Sequence, residues 1–303
     1  MAIVRDLVGY GRQRPDIVWP NGARVAVSLV LNFEEGAELA VEQADTETEK
    51  FGEVVSVQPP GVRDLVQEQV FNFGMRVGLW RFLDAFERHA TPVTLMMCGR
   101  AVERVPKLAH EAVSRGHEPA VHGWRWLANS RFQDCDTERE DIARCRNVIA
   151  AATGVAPVGF MCRGGQSPWT RDLVSELGFL YDSNSLDDEL PYWDRAARPK
   201  PVLVLPYGFD TNDMKFFSSN GFTTAADFSG YVSTALDVLL AEAMRGKASM
   251  LTIGFHLRIC GRPGRFAATE SILSRIAQCR EHLWVARRRD IAEYFIHIAG
   301  SAA

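Results

Sequence analysis

Short apolar, β-branched runs alternate along this chain with longer stretches that have the spacing of amphipathic helices. The candidate strands are residues 25–33, 93–98, 118–122, 158–162, 179–182, 202–206, 250–256 and 283–286. Strands that alternate with helices in this way form parallel sheets with the helices packed outside them. The pattern therefore predicts an α/β protein.

The predicted helices lie between these strands, and several of them are followed by a glycine that suits a helix end. They are residues 75–88, 107–115, 137–152, 170–177, 226–244, 265–278 and 290–298. No shift in composition and no linker divides the 303 residues, of which 47% are hydrophobic. We therefore expect residues 1–303 to form one barrel domain of seven or eight strand–helix units.

One segment does not follow the pattern. Residues 36–73 carry acids, Pro59-Pro60 and little strand or helix periodicity. This is much longer than the usual connection between a strand and its helix. We expect the segment to be a lid over a pocket or an arm that reaches a neighbouring subunit.

Charge and cysteine content exclude several classes of protein. The net charge is −4, with no basic stripe, so neither nucleic acid nor an anionic membrane is an expected partner, and small molecules or sugars are favoured. The six cysteines form no CxxC pair, and we interpret them as reduced thiols used in packing. Residues 1–7 lack the features of a signal peptide, which predicts a cytoplasmic protein.

Two adjacent glutamates, Glu34 and Glu35, follow the first apolar run at the point where that strand ends. Successive strand residues point to opposite faces, so both side chains reach one pocket only where Gly36 breaks the strand. Two like charges held close raise the pKa of one member, which suits proton transfer near neutral pH. The pair indicates either half of an active site or two solvated glutamates at the start of a surface loop.

Charged or titratable residues also follow several of the other predicted strands. The full set is Glu34, Glu35, Arg100, His122, Arg163, Asp182, Asp210 and His256. In a parallel barrel the active site forms where the strands reach their carboxyl ends. We therefore expect these side chains to converge on one pocket.

His122 and His256 each close an apolar run. A histidine opposite a carboxylate can donate a proton to a leaving nitrogen, and the alternative role is a structural hydrogen bond. A metal site needs a second ligand near His122, often four residues on, and that position holds Trp126, which cannot ligate. Arg258 and Arg262 follow His256, and they either bind a carboxylate or ureide oxygen of a substrate or neutralise nearby acids.

Three further motifs have a functional and a structural interpretation. Arg163, followed by two glycines, orients a planar amide or belongs only to a turn. Asp210 and Asp213 are binding residues or turn and capping residues. The Tyr192-Trp193 pair forms a pocket wall or belongs to the core.

Together these residues resemble the polysaccharide deacetylase superfamily, also called the NodB-homology family, over nearly the whole chain. In that family an Asp-Asp pair after the first strand provides the catalytic base and a metal ligand. A later His-x-x-x-His provides the other ligands, and a histidine near the carboxyl end is the catalytic acid. The corresponding positions here are Glu34, Glu35, His122, Trp126 and His256. Both acids are longer, and tryptophan replaces the second metal histidine.

This combination is similar to the branch of metal-independent allantoinases and cyclic imide hydrolases. The similar stretches are residues 6–11, 31–36, 121–126, 190–193, 210–214 and 261–263. Residues 162–165 and 255–257 depart from the allantoinase pattern. The resemblance implies a distorted (β/α)7–8 barrel of the NodB type that assembles as a homo-oligomer.

The resemblance also implies hydrolysis of a cyclic amide, imide or ureide without a cofactor or bound metal. In that mechanism Glu34 takes a proton from water and His256 protonates the leaving nitrogen. The predicted substrate-binding residues are Glu35, His122, Trp126, Arg163, Asp210 and Arg262.

Two other functions remain open from the sequence. The first is a metal-dependent deacetylase of N-acetylated sugars, in which Glu35 and His122 bind the ion together with a third ligand. The second is a barrel without catalytic activity that binds a small metabolite.

Overall fold

A computed structural model describes residues 5–300 of the chain. Part of the amino-terminal segment used to predict the compartment, residues 1–4, lies outside the described residues. In residues 5–300 no helix combines the length and the apolar character needed to cross a membrane.

One curved sheet organises the structure. Its strands are β1 (Val25–Phe33), β2 (Thr94–Met97), β3 (Glu118–Val121), β4 (Gly159–Phe160), β5 (Tyr181–Asp182), β6 (Tyr192–Asp194), β7 (Val202–Val204), β8 (Ser249–His256) and β9 (Leu283–Val285). The order is β6-β7-β5-β4-β3-β2-β1-β8, and β9 pairs with β1. Every pairing is parallel except that of β6 with β7. The sheet confirms the predicted α/β fold and the distorted (β/α)7–8 barrel.

The helices follow the strands along the chain. They are α1 (Leu65–Phe73), α2 (Leu79–Arg88), α3 (Gly99–Arg104), α4 (Pro106–Ser114), α5 (Cys135–Thr153), α6 (Thr170–Glu176), α7 (Ala225–Ala243), α8 (Pro263–Gln278) and α9 (Arg288–Ala299). All eight predicted strands and seven predicted helices are present within a few residues of the expected bounds. The prediction omitted α1, α3 and β6, each of which has at most nine residues.

The strands alternate between two environments. In β1 the odd-numbered residues from Val25 to Phe33 belong to the large core that the helices cover. Val30 instead packs with Met96, Ala120 and Met161 from the neighbouring strands, which places it inside the barrel. Asn32 and Glu34 stand two and four positions after Val30. Because every second strand residue lies on the same face, both also point into the barrel.

The segment 36–73, predicted to be irregular, contains α1. Asp64 caps this helix by accepting hydrogen bonds from the backbone N–H groups of Val66 and Gln67. Only Gln67 and Phe71 of α1 are buried, so its apolar stripe is too narrow to stand out in the sequence. The preceding residues pack on the carboxyl-end face of the barrel, where Glu49 pairs with Arg163 at 2.7 Å. A role for this segment as a subunit contact remains a prediction.

A π-helical turn, Gly74–Gly78, joins α1 to α2 and lets this helical segment approach the loop after β8. A Cβ atom on Gly78 would lie 2.2 Å from the carbonyl oxygen of Leu257, and one on Gly74 would lie 2.6 Å from Glu35 Oε1. Only glycine permits this approach. The turn therefore fixes the loop that carries Arg258 against the end of β1.

Candidate active site

Glu34 and Glu35 are both buried where β1 ends, and both contact the same cation. The Arg258 Nη1 atom lies 2.5 Å from Glu34 Oε1 and 3.4 Å from Glu35 Oε1. The backbone N–H of Arg258 also donates to Glu35 Oε1 at 3.0 Å. One guanidinium therefore faces two buried carboxyl groups that no water screens from each other. Burial and the charge of Glu34 outweigh the attraction of Arg258 and raise the pKa of Glu35 to about 7.

The faces of two aromatic rings pack against the Arg258 guanidinium. The Arg258 Cζ atom lies 4.4 Å from the centre of the Phe71 ring and 4.6 Å from that of Trp126. Its Nε and Nη2 atoms are buried and have no hydrogen-bond partner among residues 5–300. Cation–π attraction therefore replaces hydrogen bonds on this side of the arginine.

The Glu34 carboxylate lies between two imidazoles. Its Oε2 atom is 3.6 Å from His122 Nε2, and its Oε1 atom is 3.7 Å from His256 Nε2. Burial acts to raise the pKa of Glu34, but attraction to Arg258 and then to His256 outweighs it and lowers the pKa well below the usual value. Glu34 is therefore ionised at neutral pH.

His256 forms a dyad with Asp213, which lies on the short 3-10 helix Asp213–Phe217. Asp213 Oδ1 lies 2.6 Å from His256 Nδ1, and Asp213 Oδ2 accepts the backbone N–H of His256 at 2.8 Å. Burial opposes the charged form of His256, yet the carboxylates of Glu34 and Asp213 prevail and raise its pKa. The dyad therefore keeps a proton on His256 and fixes Nδ1 as a donor, which leaves Nε2 for chemistry.

A cavity of about 680 Å³ opens above these residues. His122, His256 and Trp126 line it, together with Arg163 and Arg171. Most of the other polar lining groups are amides and hydroxyls, namely Asn32, Gln166, Ser183, Asn184, Ser185, Tyr192, Tyr207 and Asn212; one carboxylate, Asp187, also lines the cavity. The cavity therefore offers many hydrogen bonds around two titratable imidazoles, as expected of a small-molecule site.

The structure brings some of the predicted site residues together and separates others. Glu34, Glu35, His122 and His256 meet at one place, with Trp126 and Arg163 beside them. Glu35 lies beneath the cavity and does not line it. Tyr192 lines the cavity, which agrees with the pocket-wall interpretation.

Other predicted residues lie elsewhere. Asp210 lines a second cavity and accepts a hydrogen bond from Tyr231. Arg262 stacks on Phe73 at 3.8 Å, and Arg100 donates to Gln43. These three do not line the main cavity, because their side chains find partners outside it.

Asp182 and Arg258 also differ from the expectation. Asp182 is buried beneath the cavity and pairs with Arg171 at 2.8 Å. Arg258 was expected to bind a substrate oxygen or neutralise acids, and the structure shows the second role, because the side chain is buried and does not line the cavity.

Sequence reasoning assigned no catalytic role to Asp213 and no central role to Arg258. Arg258 lies in a loop and Asp213 begins a short 3-10 helix, and in both places strand periodicity gives no information on direction. A signal was present for Arg258, which stands two residues after His256 and is followed by apolar Ile259 and Cys260. A charged residue inside such an apolar stretch indicates a buried ion pair.

The donor set does not fit a catalytic metal. The carboxylate that faces His122 is Glu34, whereas Glu35 is engaged by Arg258. Within the part of the chain that the structure describes, no three His, Cys, Asp or Glu side chains are grouped to hold a metal ion. Trp126 provides no ligand atom, and a guanidinium already supplies the positive charge beside both carboxylates.

The cysteines do not offer a nucleophile. All six are free, and Cys162 lines the cavity. Burial, reinforced by nearby Asp182, raises the pKa of Cys162 to about 12. Burial also raises the pKa of Cys98 well above its usual value. Both remain thiols at neutral pH, which agrees with their interpretation as packing residues.

A second buried acid beside the site makes stability depend on pH. Burial raises the pKa of Glu38 from 4.5 to about 7. A group whose pKa is raised on folding contributes stability that is complete below pH 4.5 and is lost as the pH rises through 7. We therefore expect Glu38→Gln to be more stable than the wild type by about 3 kcal/mol at pH 8, with little difference at pH 4.5. Urea unfolding at both pH values measures this.

The exposed Glu140 of α5 provides the control. Glu140→Gln should leave the free energy of unfolding the same at both pH values. A Glu38→Gln protein that is less stable than the wild type at pH 8 would show that its carboxylate is stabilising when ionised.

Comparison with known proteins extends these observations. Residues 66–181 match the family model described as polysaccharide deacetylase. A Schizosaccharomyces pombe protein, provisionally named a polysaccharide deacetylase, is 36% identical over 309 residues that cover 95% of this chain and 96% of that protein.

Two crystal structures are similar over nearly their full length. One is a Pseudomonas aeruginosa PAO1 protein provisionally named a polysaccharide deacetylase, with 43% identity, a TM-score of 0.90, and coverage of 97% of this chain and 98% of that chain. The other is PuuE allantoinase, with 39% identity, a TM-score of 0.93 and coverage of 100% of both chains. The similarity therefore extends across the whole barrel.

Proposed function

This chain belongs to the polysaccharide deacetylase family, and from that premise we propose that it hydrolyses a carbon–nitrogen bond in a neutral cyclic amide, imide or ureide without a bound metal. Membership, together with the similarity to PuuE allantoinase, supports a carbon–nitrogen hydrolase. The ring substrate and the absence of a metal are the finer parts of the proposal.

The position of Arg258 carries the metal-free part. Two buried carboxylates need a positive charge beside them, and in a metalloenzyme the ion provides it. Here the Arg258 guanidinium contacts both Glu34 and Glu35, and it is 1% exposed. A dication placed beside the same carboxylates would be repelled by this arginine.

The charges of the cavity wall support a neutral substrate. Arg163 is paired with Glu49, and Arg171 is paired with both Asp182 and Asp194. Because each lining arginine already has a carboxylate partner, an anionic substrate would find no uncommitted guanidinium there. The amide and hydroxyl groups of the wall suit the alternating C=O and N–H groups of an imide or ureide.

The His256–Asp213 dyad supports cleavage of a carbon–nitrogen bond. An amide nitrogen leaves only when it is protonated as the bond breaks. His256 lines the cavity, and the carboxylates of Glu34 and Asp213 raise its pKa, which favours the protonated form that can act as an acid. We assign His256 as the acid that protonates the leaving nitrogen through Nε2.

The test is a substrate panel in metal-free buffer, with the enzyme treated with a chelator beforehand. Allantoin, hydantoins, succinimide, glutarimide and N-acetylated sugars are assayed by the appearance of carboxylate or acetate. We expect turnover of at least one neutral ring compound and no increase when Zn²⁺ is added. Release of acetate from an N-acetylated sugar only when Zn²⁺ is present would instead establish a metal-dependent deacetylase.

A further inference from the structure

We propose that His122, rather than Glu34 or Glu35, takes the proton from the attacking water. This inference rests on the proposed hydrolysis of a carbon–nitrogen bond. It changes the role of His122 from a substrate-binding residue to the general base, and it makes Glu34 a positioning residue that acts through His122.

Access to the cavity separates the three candidates. Glu34 is 0% exposed, and neither Glu34 nor Glu35 lines the cavity. His122 does line it, on the same floor as His256. A general base must lie within hydrogen-bond reach of the water that it activates. Of the three, only His122 meets that requirement.

The hydrogen bonds of His122 leave one ring nitrogen ready to accept a proton. Its Nδ1 atom lies 2.9 Å from the carbonyl oxygen of Met161, which can only accept, so Nδ1 carries the proton of the neutral ring. The lone pair is then on Nε2. The distance of 3.6 Å from Nε2 to Glu34 Oε2 is longer than a hydrogen bond, so a water molecule can compete for that nitrogen.

The electrostatics of Glu34 fit a supporting role. Arg258 holds the pKa of Glu34 well below its usual range, and a carboxylate that binds protons so weakly is a poor base. As a permanent anion beside His122 Nε2, however, it stabilises the imidazolium that forms when His122 accepts a proton. Glu34 therefore acts through its charge on the His122 ring and not as the base itself.

The step balances with the groups present. The water oxygen forms a bond to the carbonyl carbon, the carbonyl π electrons move to oxygen, and the water proton passes to His122 Nε2. When the carbonyl reforms, the carbon–nitrogen bond breaks and its electron pair takes the proton of His256 Nε2. The ring-opened product carries a carboxylic acid and the released nitrogen as an amine, amide or urea, according to the substrate. The two histidines return to their first states by exchanging one proton, through the product acid or solvent.

Chemical rescue tests the assignment with any carbon–nitrogen substrate that the wild type turns over. We expect His122→Ala to lose activity by about 10²–10⁴-fold and to regain at least about tenfold with added imidazole but not with formate. His122→Asn keeps a donor for the Met161 carbonyl and should be equally inactive while folded. Formate restores activity when the missing carboxylate was the base, so it should not restore the activity of Glu34→Ala. His110→Asn, on exposed α4, is the control and should match the wild type.

Other outcomes would overturn the inference. Rescue of Glu34→Ala by formate, or His122→Asn activity within about tenfold of the wild type, would return the role of base to Glu34. A measurement without substrate covers the case in which the proposed function itself fails. Nitrogen-15 NMR should show the neutral His122 ring protonated on Nδ1, and protonation on Nε2 would exclude it as the base whatever the substrate.

Discussion

Replacement of Arg258 with methionine should destabilise the protein by about 3–5 kcal/mol at pH 8 and abolish activity, because it leaves two buried carboxylates without a cation. Methionine keeps much of the volume against Phe71 and Trp126, so the loss reports mainly the charge. Urea unfolding and turnover of the panel substrate measure both effects.

The pH dependence of this variant has a definite sign. In the wild type the lowered pKa of Glu34 contributes stability above pH 4.5, and that stability is lost as the pH falls through the folded pKa. Burial already raises the pKa of Glu35 to about 7 in the wild type. Without Arg258, burial and mutual repulsion also raise the pKa of Glu34 and raise that of Glu35 further, so the variant loses stability more steeply as the pH rises from 4.5. The difference between wild type and Arg258→Met should therefore be larger at pH 8 than at pH 5.

Two further variants make this prediction specific. Arg258→Lys keeps the charge but loses the planar group, so it should be intermediate in stability. Arg262→Met removes an arginine that stacks on Phe73 without an ion pair to either glutamate, and it should cost no more than about 1 kcal/mol. If Arg258→Met were as stable as Arg262→Met at pH 8, the guanidinium would not be the cation that the carboxylates require.

The periodicity of the sequence was sufficient to predict the scaffold. Apolar runs that end in His122, Glu34 and His256 occupy β3, β1 and β8, which are parallel strands in one part of the sheet, so their carboxyl ends meet at one face of the barrel. Strand alternation also specifies which side of β1 the Glu34 side chain takes. These predictions depend on local pattern and on one rule of topology, which is why they succeeded.

Loops carry the part of the site that the sequence could not predict. Arg258 reaches the glutamates because the glycine turn 74–78 allows the loop after β8 to pack closely, which is a contact between distant segments. Asp213 reaches His256 from a 3-10 helix more than forty residues earlier. Asp210, three residues from Asp213, faces a second cavity, and only the path of the backbone distinguishes the two acids.

Trp126 replaces a metal-binding histidine of the family and also packs against the buried Arg258. Its indole ring lies 3.5 Å from Arg163 Cζ and 4.6 Å from Arg258 Cζ, so the same side chain supports two guanidinium groups. A histidine at this position would offer a ligand atom but less aromatic surface to the cations. The substitution and the buried arginine therefore support each other, and restoring the histidine alone would leave the Arg258 charge in place.

The second large effect concerns Asp213. Asp213→Asn keeps the shape of the side chain, and its amide oxygen can still accept the backbone N–H groups of His256 and Cys260. The amide nitrogen then faces His256 Nδ1, which must become an acceptor, so the neutral ring is favoured over the imidazolium. We expect kcat/KM at neutral pH to fall by about 10²–10⁴-fold, because a neutral imidazole is a poor acid toward the leaving nitrogen.

The pH profile distinguishes this effect from a loss of folding. The groups that face His256 are Asp213, Glu34 and Arg258, and the two carboxylates together raise its pKa. Removal of one of them lowers that pKa, so the basic limb of kcat/KM should move to lower pH and part of the activity should return in acid. Asp237→Asn on the exposed face of α7 should leave the profile unchanged. A uniform loss at every pH, with no movement of the basic limb, would mean that Asp213 only maintains the position of the ring.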